Sequence, residues 1–483
     1  MQFGHIYIAG ICTAFPFLQN IILCLLWRLF SHSFCTNRSL YIMVCNNHFN
    51  ALQNDQNSNR LLDRKMALIN KIQVVLRKDV TFFLLANILF SMSTMIVNML
   101  LPKILPTEVF TDFIYIFQMV FFLTTVFQIG LVVGLYHFIE KDRQGTLNIY
   151  YLSVGSLVIL LTIFAFWPNN PLLSALNLNN INKGQQVAFF ASVIVSEIFL
   201  YNKGKNVADK AYRYMMRISI TAFFLRLISL VVIGLTHVTD TSLILILVFI
   251  LPFVQDLRDF AVNSYRYVRL SLVSSNLMRQ LLVYCFKVWI IGALFIISDK
   301  LFLISTKGLD ISFTTALAFC SGFVGIIGLF NSSFTNYFMS NLSTSRMDEI
   351  RRHINRLFKL APLYIITLLI ICGLASCGIH LIYPEMGIIT PLVAFIVLLR
   401  TGLISYLGMF SLLTKVMNIL NIEIGLNICR VLWTAALCYL WHPENILIWF
   451  ATITFLILLP ELLLTIITIK RAYTQTKQLS TCQ

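Results

Sequence analysis

The chain has 483 residues, of which 58% are hydrophobic and only 12% charged, with a mean hydropathy of +0.82. A surface wetted on all sides carries roughly 25% charged residues, so a string of soluble domains is excluded. The net charge of +16 leaves a nucleic-acid binder or a membrane protein with basic loops, and the placement of the charges decides between them.

Residues 1–65 differ in character from the rest of the chain. They hold Cys12, Cys24, Cys35 and Cys45 and a polar, Asn-rich stretch from Asn46 to Asn59. Their apolar run, from about Ile6 to Phe30, is broken by Pro16, Gln19 and Asn20 and lacks the basic lead of a signal peptide. Met66 opens an amphipathic, basic segment that leads into the first apolar run. The expectation is that the natural chain starts at Met66, with residues 1–65 as an upstream extension.

From Asp79 onward, apolar runs of about 20 residues recur, each long enough to cross a ~30 Å hydrocarbon core. Twelve spans are predicted, at roughly 80–101, 110–138, 149–167, 186–201, 216–235, 242–261, 282–304, 311–338, 360–382, 388–413, 418–440 and 445–469. The lead, the even-numbered loops and the C-terminal tail carry 25 Lys and Arg, from Arg64 to Lys477, whereas the odd-numbered loops carry only Lys103, Lys183 and Lys307. That bias predicts both termini in the cytoplasm. It also accounts for the basic surplus, so nucleic acid is excluded as a partner.

Spans one and seven each have a basic lead and a short link into a long span that ends in spaced glycines, Gly130 and Gly134 in one, Gly322, Gly325 and Gly328 in the other. This predicts an all-α polytopic membrane fold of about twelve helices in two six-helix halves, residues 66–275 and 276–475, followed by a cytoplasmic tail, 476–483. Parallel halves suit a transporter with its path between them.

Polar stripes mark the faces that avoid lipid. Asn87, Ser91, Thr94 and Asn98 share one face of span one, Gln118 belongs to a similar stripe in span two, and Glu423, Asn427, Arg430 and Thr434 line up in span eleven. Arg400 and Arg430 lie near the centres of their spans and Arg226 nearly as deep, where a charge costs at least ~2.5–3.5 kcal/mol. No acid sits at the same depth on the same helix, so an uncompensated positive field is expected. Arg226, Arg400, Arg430, Asn87, Asn98, Gln118 and Asn427 are the cavity candidates, and forked guanidinium donors suit a phosphate group. Lys287 and Lys300 are expected to snorkel to the interfaces. Glu197, Asp256 and Glu423 fall near the inner ends of their spans, where solvation at the interface is expected.

The eleven cysteines form no CxxC pair and the eight histidines show no metal-ligand spacing, so no metal and no cofactor are expected. GxxxxGK[ST], HExxH, GxSxG and a TVGYG-type filter are all absent. Nothing nominates a nucleophile with its base, and a transporter rather than an enzyme is the reading.

Asp79–Glu140 contains Leu84-Leu-Ala-Asn-Ile-Leu-Phe-Ser91, Phe113-Ile-Tyr-Ile-Phe-Gln-Met119 and Phe127-Gln-Ile-Gly-Leu131. This stretch resembles the start of bacterial polysaccharide flippases, the Wzx-type exporters of lipid-linked O-antigen and capsule repeat units, relatives of MATE transporters. Residues 282–340, with Ile297-Ser-Asp-Lys-Leu-Phe302, resemble the opening of that family's second half, where an acidic residue ends the seventh span. The likeness covers about residues 66–475, and residues 1–65 have no counterpart.

The resemblance implies a MATE-like fold in the bacterial cytoplasmic membrane and a substrate of undecaprenyl-pyrophosphate-linked oligosaccharide moved from the inner to the outer leaflet. It implies ion coupling, for which Asp299 and Glu423 are the candidates, and a glycan polymerase and chain-length regulator as protein partners beside membrane lipids. Two alternatives stand next to it: a MATE-type exporter of small molecules and an integral-membrane glycan polymerase. Reporter fusions at Asn182 and Lys205 should lie on opposite sides of the membrane. The same side for both would overturn the assignment of spans three to five.

Overall fold

The computed structural model describes residues 79–481 apart from 129, 141, 270–274, 308–309, 325–346, 385–386, 388, 417–419 and 442–444. The predicted extension 1–65, the lead from Met66, and Gly325 and Gly328 lie outside the described residues.

Long apolar runs leave the backbone no water to bond to, so it closes on itself as helix. Among the described residues there is no strand. The helices are α1 (Asp79–Ile104), α2 (Thr107–Phe127), α3 (Leu131–Phe138), α4 (Arg143–Phe166), α5 (Pro171–Ala175), α6 (Lys183–Ala208), α7 (Tyr212–Thr236), α8 (Thr241–Leu245) and α9 (Val254–Tyr267). They continue as α10 (Ser275–Thr306), α11 (Ile311–Ser321), α12 (Met347–Ile382), α13 (Ile389–Val416), α14 (Leu420–Leu440), α15 (Ile446–Leu456) and α16 (Leu458–Thr481). Among the described residues, ten helical segments are long and apolar enough to cross a membrane. The other two predicted spans differ. Span six is broken into α8, a π turn, a 3-10 turn and α9, and span eight is described only in its first part, α11 and the turn after it.

Polar residues between the runs set the helix starts. Asn182 builds a capping box with Gln185, their side chains and backbone amides bonding reciprocally at 2.8 and 3.0 Å. Asp142, Asp240, Asp310 and Asn445 each accept a backbone N–H in the first turn of the adjoining helix. Span three therefore begins at Arg143, six residues before the sequence pattern places it.

Helices of the first six spans pack mainly on one another, α1 on α7 and α6 on α2, α4 and α9. Those of the last six do likewise, α10 on α14 and α13 on α11, α12 and α16. The two groups meet where α2 and α3 cross α10 and α11. Phe302 anchors one end of that core, its ring 4.8 Å from Trp449 and 5.1 Å from Phe450. Large apolar side chains such as Ile163, Leu235, Leu374 and Leu440 point outward and are exposed, the surface that lipid covers.

The crossing of α3 on α10 depends on a break in the second span. Gly130 has φ +62°, which divides the span into α2 and α3. A Cβ there would stand 2.5 Å from the Cys285 carbonyl oxygen, and one at Gly134 only 2.3 Å from the Cys285 Sγ. The two glycines let α3 lie directly against α10. The Tyr201 hydroxyl donates to the Gln128 carbonyl at 2.9 Å, which the break leaves with only a long bond of 3.4 Å from the Leu131 N–H.

Gly130→Ala meets both an unfavourable φ and a backbone clash, so it should destabilise the purified protein by about 1–3 kcal/mol. Gly155→Ala, where nothing stands within 4 Å of the added carbon, should leave the thermal midpoint unchanged. Equal midpoints for the two variants would remove the close-approach argument.

Candidate functional site

A cavity of about 520 Å3 opens among α10, α13, α14, α15 and α16, with Thr125 of α2 at its edge. Its charged lining is Asp299, Lys300, Arg400, Glu423 and Glu461, joined by Asn427, Thr401, Ser405 and Thr454. Such a volume lies in the ~300–1,000 Å3 range of small-ligand sites.

Local chemistry explains why these side chains point inward. Pro460 lacks the N–H that would bond the Leu456 carbonyl, the last span divides at Ile457, and Glu461 follows the proline into the core, 7% exposed. Arg430 meets it there, Nη2 donating to Glu461 Oε1 at 2.5 Å, while its guanidinium carbon stands 5.0 Å from the Phe295 ring centroid. Arg400 forms an ion pair with Asp299. Lys300 lies 3.7 Å from the same carboxylate and donates to Gln118 Oε1 at 3.2 Å.

These pairs correct the expected uncompensated field. Arg400 and Arg430 have no acid at their own depth on their own helices, and each finds one on a neighbouring helix. Lys300 also departs from expectation, since it is 8% exposed and turns toward Gln118 and Asp299 instead of snorkelling. The acids expected at a solvated interface are buried as well, Glu197 at 0%, Asp256 at 1% and Glu423 at 5% exposure.

The pairing is incomplete. Among the described residues, Arg400 Nε, Arg430 Nε and Nη1, and Asn427 Oδ1 are buried without a hydrogen-bond partner. A guanidinium has five donors, and each one buried unmet costs about 1–3 kcal/mol. The cavity wall thus holds cationic donors only partly satisfied by the protein.

Of the predicted residues, Arg400, Asn427, Asp299 and Glu423 line the cavity, Arg430 stands behind Glu461, and Gln118 reaches the site through Lys300. Gln118 also donates to the Ala318 carbonyl at 3.0 Å, a group released where α11 ends, so it ties the two groups of spans together. Asn98, 0% exposed, fills the space left by the absent side chain of Gly322, where a Cβ would stand 2.0 Å from its Nδ2. Asn87 donates to the Phe83 carbonyl of its own helix at 3.0 Å.

Arg226 is elsewhere, and the break in span six explains it. Pro252 removes the N–H that would bond the Val248 carbonyl, and the backbone runs as a π turn over Ile246–Ile250. Arg226 Nε donates to that Val248 oxygen at 3.3 Å, and Ser229 Oγ donates to Leu247 at 2.7 Å. Arg226 Nη1 donates to Ser93 and Thr94 of α1 at 2.6 and 2.9 Å, and its guanidinium lies between Phe90 and Phe253 at 5.2 and 5.0 Å. It replaces a missing backbone donor rather than lining the cavity.

Two site residues were missed as such. Glu461 is visible in the sequence as an acid in the last span, and its adjacency to Pro460 is the signal that marks a break there. Lys300 has no such signal, because only the packing of α10 on α2 brings Gln118 to it.

No family model matches the sequence, and no curated protein matches it. Among solved structures, the chain is similar to the crystal structure of the eukaryotic MATE transporter AtDTX14, with 10% sequence identity and a TM-score of 0.48 over 82% of this chain and 98% of that one.

Because Arg226 substitutes for the donor that Pro252 lacks, the two positions should couple. Arg226→Met should lower stability by about 1–3 kcal/mol on its own, and by clearly less in a Pro252→Ala background, where the Val248 carbonyl regains a backbone donor. Additive losses in thermal unfolding of the single and double variants would overturn the role given to Arg226.

Proposed function

We propose that the chain is a transporter that carries an oligosaccharide on undecaprenyl pyrophosphate from the inner to the outer leaflet of a bacterial cytoplasmic membrane, with Arg400 and Arg430 receiving the pyrophosphate. The observation that carries this reading is the set of buried guanidinium donors beside the cavity that have no acceptor among the described residues. Phosphate oxygens fit such donors in forked pairs. The sequence resemblance at Asp79–Glu140 and 282–340 points the same way.

The ion pairs add a step to this scheme. An arriving anion must draw Arg400 away from Asp299, and a carboxylate left alone at that depth is costly. A proton or a small cation taken up by Asp299, with Glu423 as the second acid on the cavity wall, offsets that cost and couples substrate binding to an ion gradient. Release then occurs when the ion leaves and the pair re-forms. The proposed protein partners are the polymerase and chain-length regulator that would take the product at the outer leaflet.

A second reading, an exporter of small organic cations, is favoured by one observation: Asp299, Glu423 and Glu461 all line the cavity. In proteoliposomes, Arg400→Gln and Arg430→Gln should each cut translocation of a lipid-linked saccharide by about tenfold or more per folded protein. Arg430→Lys should recover part of it, since the charge returns without the fork. Full translocation in both Gln variants would end the anionic-substrate reading, and efflux of an organic cation lost on Glu461→Gln would establish the second.

A further inference from the structure

At the end of the first six spans where the basic loops gather, a cleft of about 280 Å3 lies between α6, α9 and the start of α7. It shares no lining residue with the larger cavity. Its walls carry Asn202, Lys205, Asp209, Tyr214, Asp259 and Asn263. Asp209 is held by Lys205 of the wall at 3.2 Å and, from outside it, by Arg143 at 2.5 Å, and Asp259 accepts a hydrogen bond from the Tyr214 hydroxyl. A free anion would face two carboxylates, and a free cation would face Lys205 and compete with Arg143 for Asp209. With Arg143 counted beside the wall's Lys205, Asp209 and Asp259, cations and carboxylates balance, and what the cleft still offers is a mixture of acceptors and donors.

One wall group is not satisfied. Asn202 is 1% exposed; its Nδ2 donates to the Asp256 carbonyl at 2.7 Å, and its Oδ1 has no partner among the described residues. A buried amide oxygen left unmet costs about 1–3 kcal/mol, which a hydroxyl donor would recover. Val262, which lines the cleft, is 58% exposed, and one turn further along α9 Tyr265 is 94% exposed.

We propose that this cleft is a second binding site, separate from the charged cavity, and that it takes a neutral sugar ring. Each sugar hydroxyl both donates and accepts. Ring hydroxyls would donate to Asn202, Asp209 and Asp259 and accept from Lys205 and the Asn263 amide. That the ring belongs to the head of a transported lipid rests on the function proposed above, whereas the site itself stands on the cleft's own chemistry. On that function it grips the first sugars on the side of loading, before the pyrophosphate reaches Arg400.

The test uses the purified full chain in detergent, with methyl glucoside and methyl N-acetylglucosaminide as probes and saturation-transfer NMR as the readout. At least one glycoside should show ring-proton transfer that neither inorganic phosphate nor magnesium displaces. Asn263→Ala and Asp259→Asn should weaken it about tenfold, and Val262→Trp, which fills the mouth from an exposed position, should abolish it at an unchanged thermal midpoint. Arg400→Gln should leave it intact. No transfer to either glycoside, equal transfer in Val262→Trp, or displacement by phosphate or magnesium would each overturn the site. Glycoside binding that persists in a protein found not to translocate lipid-linked saccharide would sink the transport reading and leave this site standing.

Discussion

A backbone carbonyl left without a donor inside a bilayer is the cost around which this fold is arranged. Unbroken helices meet the requirement by themselves, but this chain breaks its spans at Gly130, Pro252, the end of α11 and Pro460. Among the described residues, three of these breaks draw a side-chain donor from another helix: Tyr201 to Gln128, Arg226 to Val248 and Gln118 to Ala318. Polar residues that look like binding groups in a linear stripe therefore serve first as backbone partners. This explains why Arg226 and Gln118 sit so deep and yet contribute so little free surface.

The fourth break works differently. At Pro460 the carboxylate of Glu461 follows the proline into the core and holds Arg430 from the neighbouring α14. With Arg400 on Asp299, the wall becomes a set of cross-helix ion pairs whose charges nearly balance. A buried pair contributes little net stability compared with apolar packing, while losing one partner is costly. Such pairs suit a wall that must exchange one counter-charge for another, which is what binding and release of an ionic ligand require. The unmet guanidinium donors beside them fit the same exchange.

Alternation between two states would also have to separate what now touches. At one end, α3 lies on α10 through Gly130 and Gly134. Toward the other end, Gln118, Asn98 and Tyr383 bridge between the two groups of spans, the last donating to the Met99 carbonyl at 2.5 Å. These polar and small-residue contacts sit within a continuous apolar seam, where Phe110 meets Phe319 at 6.2 Å and Phe138 meets Tyr284 at 6.0 Å between ring centroids. Parting the two groups at either end would therefore expose apolar surface.

Composition and periodicity were enough to set the class, the helices and their approximate bounds, because hydrophobic length against bilayer thickness is a local property of the chain. Local signals also mark the starts at Asn182, Asp240 and Asp310, where a cap lies next to the residues it serves. The breaks were only partly legible: Pro252 and Pro460 were visible, but not the π turn that one of them produces. Arg400 and Asn427, taken from the sequence as cavity candidates, line the cavity. The partners of the buried charges were not legible at all, since Asp299 and Arg400 are about a hundred residues apart, and only the packing of α10, α13, α14 and α16 brings opposite charges within reach. Sequence determined which residues leave the lipid; tertiary structure decided what each of them meets, because ion pairing depends on distance in space and not along the chain.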